Sequence, residues 1–452
     1  MGIKEITMKR KNLYAFSVIL LAFILYFFPA LASNFPKGSD SWFHIKAASE
    51  IFRSPFYDGL SSGGISYFYP PFFHIVLYPF TLIGNISVFR FFGPVFGIFS
   101  ILFFYLWCRR FLSFHESILA TVFFSSFIET VDTFTFSVFP QNFGTVLIFF
   151  TLYSLERSKN QRISAYIAAI SSFILSISHF LSYIILILII IILYRKRILV
   201  VLPSLISFSL LILISFLWFS PHPVDTSYAL WRINRIQISW IPLFLLPLAI
   251  RKHKKLKDFY VLFVLLLFAM VFLPFYRERI IFYLAIPLSV LSARGFSLMK
   301  NSLGKPGLAT AWILLILFLI PAVSFSLTER SEMNEKDYEM LLWIKENTPE
   351  ESVIASPWQV SGPWIPVIAE RQNILGYLQE FVPDYLERRN DLEKIFTSQS
   401  EREIRYILSK YNAKYIYINR YEEKVLHPGA IKRLSEMFDV ANENGYAYIF
   451  RI

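Results

Sequence analysis

The chain has 452 residues, 55% of them hydrophobic and only 17% charged, which excludes a disordered chain and does not suit an ordinary soluble one, where about a quarter would be charged. The formal charge of +12 invites a nucleic-acid reading until it is located: residues 1–327 hold 28 Lys or Arg against 11 Asp or Glu, and residues 328–452 hold 16 against 21. The basic excess therefore lies wholly among the apolar runs, and the single cysteine, Cys108, leaves no intrachain disulfide to indicate a redox compartment.

A spanning helix needs about 20 mostly apolar residues, because amides in hydrocarbon must find their partners within the segment. Eleven stretches are predicted to span: 13–33, 87–107, 116–132, 137–155, 163–178, 180–194, 199–219, 239–250, 259–275, 280–293 and 308–327. Three of these (180–194, 239–250, 280–293) are short and are expected to extend into flanking residues or to meet a thinner bilayer. Ala30-Leu31-Ala32 before Ser33 resembles a secretory cleavage site, but the apolar stretch before it is long for a signal, and an uncleaved anchor is expected. The stretch Tyr67 to Gly84 opens with Tyr69-Pro70-Pro71 and holds His74 and Pro79. Counting it as a span would put Arg109 and Arg110 outside and invert every later loop, so it is read as a juxtamembrane or re-entrant segment.

With a cytoplasmic N-terminus, the inner loops collect twenty basic residues, including Arg109, Arg110, Arg195, Lys196, Arg197 and the run from Arg251 to Lys257. The outer side keeps eight: Lys37, Lys46, Arg53, Arg90, Arg232, Arg235, Arg277 and Arg279. This asymmetry sets the sidedness, and the basic runs become cytoplasmic anchors rather than a nucleic-acid surface. After Ser326 the composition turns mixed and charged. Helices are expected over Glu335 to Asn347 and Arg402 to Tyr411, and strands over Ser352 to Ser356, Lys414 to Asn419 and Tyr446 to Arg451, the second of which alternates Tyr and Ile. The fold class is thus a polytopic α-helical membrane protein with about eleven transmembrane helices (1–327, first outer loop 34–86) and a C-terminal extracytoplasmic α/β domain (328–452).

Sidedness separates ionisable groups that topology needs from those it does not. Seven of the eleven acids of the membrane region fall on the outer side: Asp40, Glu50, Asp58, Glu129, Asp132, Asp225 and Glu278. Asp40 and His44 are four apart and share a face if a helix starts there; equally, Asp40 reads as an N-cap for a helix over Trp42 to Arg53. Glu129 and Asp132 are three apart and repel one another unless a cation, a proton or a basic partner intervenes. Oxygen pairs of this kind suit Mg2+ or Mn2+, with Asp40 as a further ligand; end-of-span acids also occur as solvated markers of the interface. Arg277 and Arg279 stand where the positive-inside bias disfavours arginine, and a guanidinium fork matches phosphate oxygens; pairing with Glu278 or snorkelling is the bland alternative. His179 marks an outer turn. Together these groups fit transfer of a group from a membrane-embedded phosphate lipid.

Five stretches carry a family likeness: Gly38-Ser39-Asp40-Ser41-Trp42-Phe43-His44, Tyr69-Pro70-Pro71-Phe72-Phe73-His74, Glu129-Thr130-Val131-Asp132, Arg279-Ile280-Ile281-Phe282-Tyr283, and the run from Tyr338 through Thr348-Pro349 to Ser356. In order and layout the chain resembles the GT-C superfamily of integral-membrane glycosyltransferases, distantly its archaeal oligosaccharyltransferase branch. Where that branch carries WWDYG to recognise the acceptor sequon, this chain reads Trp358-Gln359-Val360-Ser361-Gly362, without the central aspartate.

The resemblance implies a sugar donor linked to polyprenyl (dolichyl) phosphate, a glycan, lipid or protein acceptor, membrane lipid around the protein and no nucleic acid. On this reading the sugar is displaced with inversion, Asp40 acts as base with His44 beside it, and Arg277 and Arg279 bind the lipid phosphate. Glu129 and Asp132 provide the metal site, and Trp42, Tyr69, His74, His179 and Trp358 contact donor or acceptor. A transporter or flippase would place its charges near the midplane, often in repeated halves, and neither is present in the sequence; a non-catalytic scaffold subunit is the other rival.

Overall fold

The computed structural model describes residues 3–60, 64–135, 137–158, 161–218, 245, 254–272, 277–375, 381–382 and 384–452. They form two compact units. One contains the described residues of Met1–Ser33, Arg90–Leu211 and Thr226–Arg330; the other contains those of Asn34–Phe89, Ile212–Asp225 and Ser331–Ile452. The outer loop 34–86, grouped above with the spans, thus shares a unit with the C-terminal residues.

The membrane unit is built from α1 (Ile3–Leu31), α4 (Phe92–Cys108), α5 (Phe114–Ser126), α6 (Ile128–Phe134), α7 (Pro140–Arg157), α8 (Arg162–Ser176), α9 (Phe180–Tyr194), the part of α10 (Leu202–Trp218) up to Leu211, α11 (Lys254–Phe272) and α12 (Arg277–Thr328). Among the described residues four helical stretches are long and apolar enough to cross a membrane: Leu13–Leu31, Ile86–Cys108, Phe180–Ser215 and Arg279–Thr328. A fifth is added if α5 and α6, bent by 66°, make one broken span.

The count of eleven is not reached among the described residues, for identifiable reasons. The predicted spans 180–194 and 199–219 join through a 3-10 turn at Arg195–Val201. The predicted spans 280–293 and 308–327 are two arms of α12, broken where Gly304 takes φ +57° and ψ −134°, a conformation open to a residue without a Cβ. The predicted span 239–250 lies outside the described residues apart from Leu245.

Aromatic side chains fill this unit's core, with Phe104 stacked on Phe124 at 4.7 Å and Phe149 edge-on to both. Lipid offers no hydrophobic gain for helix association, so close contact and internal polar pairing must hold the bundle. Both are present. A Cβ on Gly93 would lie 2.0 Å from the Thr135 carbonyl oxygen and one on Gly97 would lie 2.8 Å from Phe134, so α4 presses directly on the end of α6. Buried hydroxyls bond locally, as Thr121 Oγ1 does to the Ser117 carbonyl (2.7 Å), or across helices, as Tyr26 does to the Ser125 carbonyl (2.9 Å).

The second unit begins with α2 (Ser39–Glu50), the short hairpin β1 (Tyr57–Asp58) and β2 (Ile65–Ser66), and α3 (Phe72–Thr81). Its sheet has the order β4-β3-β5-β7-β6, with β3 (Val353–Ala355) parallel to β4 (Gln372–Asn373) and β5 (Ala413–Asn419). Strands β7 (Ala447–Arg451) and β6 (Asp439–Glu443) close it antiparallel. The Tyr/Ile alternation of β5 is read out on two faces, as a strand's period of two requires. Tyr415 and Tyr417 join a core with Phe35, Trp42, Leu341 and Trp364, and Ile416 and Ile418 join another with Ile65, Val353, Leu408 and Phe450. The helix Glu335–Asn347 starts in a capping box made by Asn334 and Asp337, which satisfies amides the first turn leaves open.

Candidate active site

The loop after α1 turns at Gly38, whose φ of +78° suits glycine, and α2 starts at Ser39. Gly38 is therefore the N-cap, which corrects the reading of Asp40 in that role. Asp40 instead stands in the first turn, where the helix dipole favours a carboxylate. One turn on, His44 is buried, and its Nδ1 lies 3.0 Å from Nε2 of buried His74 on α3. The helix places Trp42 elsewhere: it is 1% exposed, edge-on to Trp364 at 6.4 Å, so it is a core side chain and not an exposed contact for donor or acceptor. Tyr69 packs its ring on both histidines, at 5.0 and 5.5 Å. Burial pushes the His74 imidazole down to about 3, so the ring is neutral.

Trp358 sits beyond the carboxyl end of β3. Its indole N–H donates to Glu393 Oε1 (3.0 Å), Gln359 Nε2 donates to the same oxygen (2.8 Å), and the Arg389 guanidinium lies over the indole at 5.8 Å. The Ser361 amide donates to Glu422 Oε1 at 2.9 Å, and Asn373 Nδ2 donates to the Gly362 carbonyl at 3.0 Å. The stretch that stands in the place of WWDYG is thus tied down by two carboxylates, and the polar handle of Trp358 is used internally. Burial pushes Glu422 up to about 8 and Asp337, which accepts from Tyr417 and Asn419, up to about 6.

In the membrane unit Glu129 and Asp132 lie not at the end of a continuous span, as expected, but on α6, a two-turn helix set off from α5 by Phe127 in an extended conformation (φ −61°, ψ 134°). Phe127 is pinned there by the Phe318 ring at 5.2 Å. Glu129 occupies the first turn of α6, and its Oε1 is buried with no hydrogen-bond partner among the described residues; Asp132 is exposed.

A second cluster in this unit was only partly legible. His179 caps α9, with Nδ1 2.6 Å from Ser182 Oγ, and Ser182 Oγ is 2.5 Å from the Tyr283 hydroxyl on α12. Arg279, one turn before Tyr283 on α12, acts electrostatically on both His179 and Tyr283. The structure therefore brings together the predicted His179 and Arg279 and adds Ser182 and Tyr283, which the sequence reading missed. Their offsets of three from His179 and four from Arg279 were the available signal. Arg277 opens α12; Arg232 and Arg235 lie outside the described residues.

Among the described residues no three His, Cys, Asp or Glu side chains group so as to hold a metal. Two carboxylates with one orphaned oxygen do fit the way Mg2+ is commonly held, by one or two carboxylates with water and substrate phosphate.

The fold is thus a set of apolar helices, several of them long enough to cross a membrane, followed by a C-terminal α/β domain. Solved structures share it along nearly the whole chain. The archaeal oligosaccharyltransferase AglB from Archaeoglobus fulgidus, in complex with an inhibitory peptide and a dolichol-phosphate, aligns at a TM-score of 0.65 and 15% identity over 93% of this chain and 71% of that one. ArnT from Cupriavidus metallidurans, bound to undecaprenyl phosphate, aligns at 0.56 and 10% over 98% of this chain and 97% of that one. The arabinofuranosyltransferase AftD from mycobacteria aligns at 0.58 and 13% over 98% of this chain and 40% of that one. No protein-family model and no curated protein sequence matches the chain. At these identities the likeness shows the fold alone, which the chain shares with these solved membrane proteins.

Proposed function

We propose that the protein is a glycosyltransferase that moves a sugar from a polyprenyl-phosphate donor to an acceptor at the outer face of the membrane. The observation that carries this reading is the correspondence, over 93% and 98% of the chain, with transferases whose structures hold dolichol-phosphate and undecaprenyl phosphate. The N-terminus is cytoplasmic and the C-terminal domain extracytoplasmic on this reading, as the basic loops require.

The reaction is an inverting displacement: an acceptor O–H or N–H attacks the anomeric carbon, the bond from that carbon to the phosphate oxygen breaks, and polyprenyl phosphate leaves with the electron pair. Asp40 takes or orients the acceptor's proton, a role that needs reach more than an unusual acidity. Arg279, with Arg277 at the start of the same helix, compensates the charge gathering on the departing phosphate. Ser182, bonded to both His179 and the Tyr283 hydroxyl, ties α9 to the helix that carries Arg279. Glu129 and Asp132 would hold a divalent cation, Mg2+ or Mn2+, which supplies positive charge opposite phosphate when bound. The acceptor is a glycan, lipid or protein hydroxyl or amide.

The test is transfer of radiolabelled sugar from polyprenyl phosphate in membranes containing the purified protein. Asp40→Asn should abolish transfer while expression and membrane insertion stay at wild-type levels; a variant that still transfers sugar removes Asp40 from the mechanism.

A further inference from the structure

The two buried histidines of the first outer loop come from helices thirty positions apart in sequence, yet they make one hydrogen bond, His44 Nδ1 to His74 Nε2 at 3.0 Å. Their rings lie edge to edge, centroids 5.2 Å apart and planes 30° apart, as a bond in the plane of both rings requires. Phe43, Phe73 and Tyr69 surround them, with ring centroids 5.0–6.2 Å away, and both imidazoles are at most 4% exposed. Water therefore competes little for the ring nitrogens, and a charged imidazole is disfavoured.

A neutral imidazole carries one proton on one of two nitrogens. Two facing nitrogens at 3.0 Å need one proton between them: two would clash and none would leave lone pairs opposed. If His74 Nε2 carries it, His44 Nδ1 accepts and His44 must hold its own proton on Nε2. If His44 Nδ1 carries it, His44 Nε2 is bare and the proton of His74 lies on Nδ1. The tautomers of the two rings are thus locked to each other, and His44, one turn after Asp40 on α2, presents either a fixed donor or a fixed acceptor at Nε2.

We propose that His74 is a positioning residue that fixes the tautomer of His44, and so fixes whether His44 offers an N–H or a lone pair beside Asp40. The consequence for sugar transfer rests on the glycosyltransferase reading above; the lock itself does not.

The experiment uses full-length protein with 15N-labelled histidine in lipid nanodiscs at pH 7, with the His44 signals among the seven histidines identified by their loss in His44→Gln. Long-range 1H–15N spectra of the wild type should show one protonated and one bare nitrogen for His44, fully separated in shift. In His74→Phe, which keeps an aromatic ring but no nitrogen, they should move toward the averaged values of a tautomer mixture. In parallel, kcat for transfer should fall about tenfold or more in His74→Phe with KM within about twofold, and His74→Gln, which restores a polar partner, should recover most of the loss.

Averaged His44 signals in the wild type, or unchanged separation in His74→Phe, overturn the lock, and wild-type kcat in His74→Phe overturns its role in transfer. If His74→Phe does not fold, the reciprocal spectrum decides: His74 should lose its own separation in His44→Phe, which removes the facing nitrogen, and keeping it overturns the lock. A wild type that transfers no sugar refutes the glycosyltransferase reading and leaves the spectra to judge the lock alone.

Discussion

Gly144 on α7 is the position where one methyl group should do the most measurable damage to the membrane-unit cluster. A Cβ there would lie 2.5 Å from Ser182 Oγ and 2.8 Å from Ser182 Cβ, with Leu175 Cδ1 at 3.3 Å. Leucine's methyl can give way, but Ser182 is held from two sides, by His179 Nδ1 at 2.6 Å and the Tyr283 hydroxyl at 2.5 Å. Relieving the overlap means moving α9 away from α7 by a sizeable fraction of an ångström, or rotating Ser182 out of both hydrogen bonds. Overpacking of this kind costs about 1–3 kcal/mol, and a lost buried hydrogen bond adds about 1 kcal/mol. Gly144→Ala should therefore lower the thermal unfolding midpoint of the detergent-purified protein by several degrees, and Gly144→Val by more. Ser182→Gly removes both atoms that the new methyl would strike, so Gly144→Ala/Ser182→Gly should be more stable than the sum of the single changes allows, by about 1–2 kcal/mol. An Ala variant as stable as the wild type, or a strictly additive pair, would refute this account of the α7–α9 contact.

Three further outcomes are expected. Arg294 and buried Glu116 pair at 2.5 Å, with the Arg294 side chain 28% exposed; Arg294→Met should cost about 1–3 kcal/mol, less than a fully buried pair, and Glu116→Gln in the same chain should recover part of it, as paired unfolding midpoints would reveal. Glu422, pushed up to about 8, and Asp337, pushed up to about 6, bind more protons folded than unfolded. The stability these two groups contribute to the second unit should then be fully present below about pH 4 and be lost as pH rises toward about 8, so the fall from about pH 6 to about pH 8 should be shallower in Glu422→Gln than in the wild type; an equal or steeper fall in the variant, in hydrogen-exchange or unfolding measurements, contradicts the sign. Arg279→Lys keeps the charge but loses the planar fork, so transfer should drop about tenfold or more while insertion is unaffected.

How far the sequence could be read depended on whether the signal was local. The helix Glu335–Asn347 was legible to the residue because its capping box and apolar spacing lie within one segment. The two faces of Ala413–Asn419 followed from alternation alone. The bend at Phe127 was not legible, since it depends on a ring from α12. His44 and His74 were singled out separately, and their bond belongs to the packing of α2 on α3, which no periodicity reports. Ser182 and Tyr283 looked like ordinary residues of apolar helices and gained meaning only from each other. Trp42 misled because an aromatic beside an aspartate in an outer loop reads as a contact until the core that covers it is visible.

The second unit is assembled from pieces that lie far apart in the chain. Ile65, Phe35 and Trp42 are buried against Val353, Leu341 and Trp364, the Asn373 amide donates to the Leu60 carbonyl, and Ser331 Oγ donates to the Pro36 carbonyl. Residues 34–89 are therefore made long before their apolar side chains have anything to bury against, and they stay in a non-native state while the intervening helices are synthesised. Until residues 331–452 are made, residues 34–89 are accordingly open to chaperones and proteases. A truncation that removes the sheet strands after residue 412 should therefore unfold residues 34–89 as well, as limited proteolysis would show.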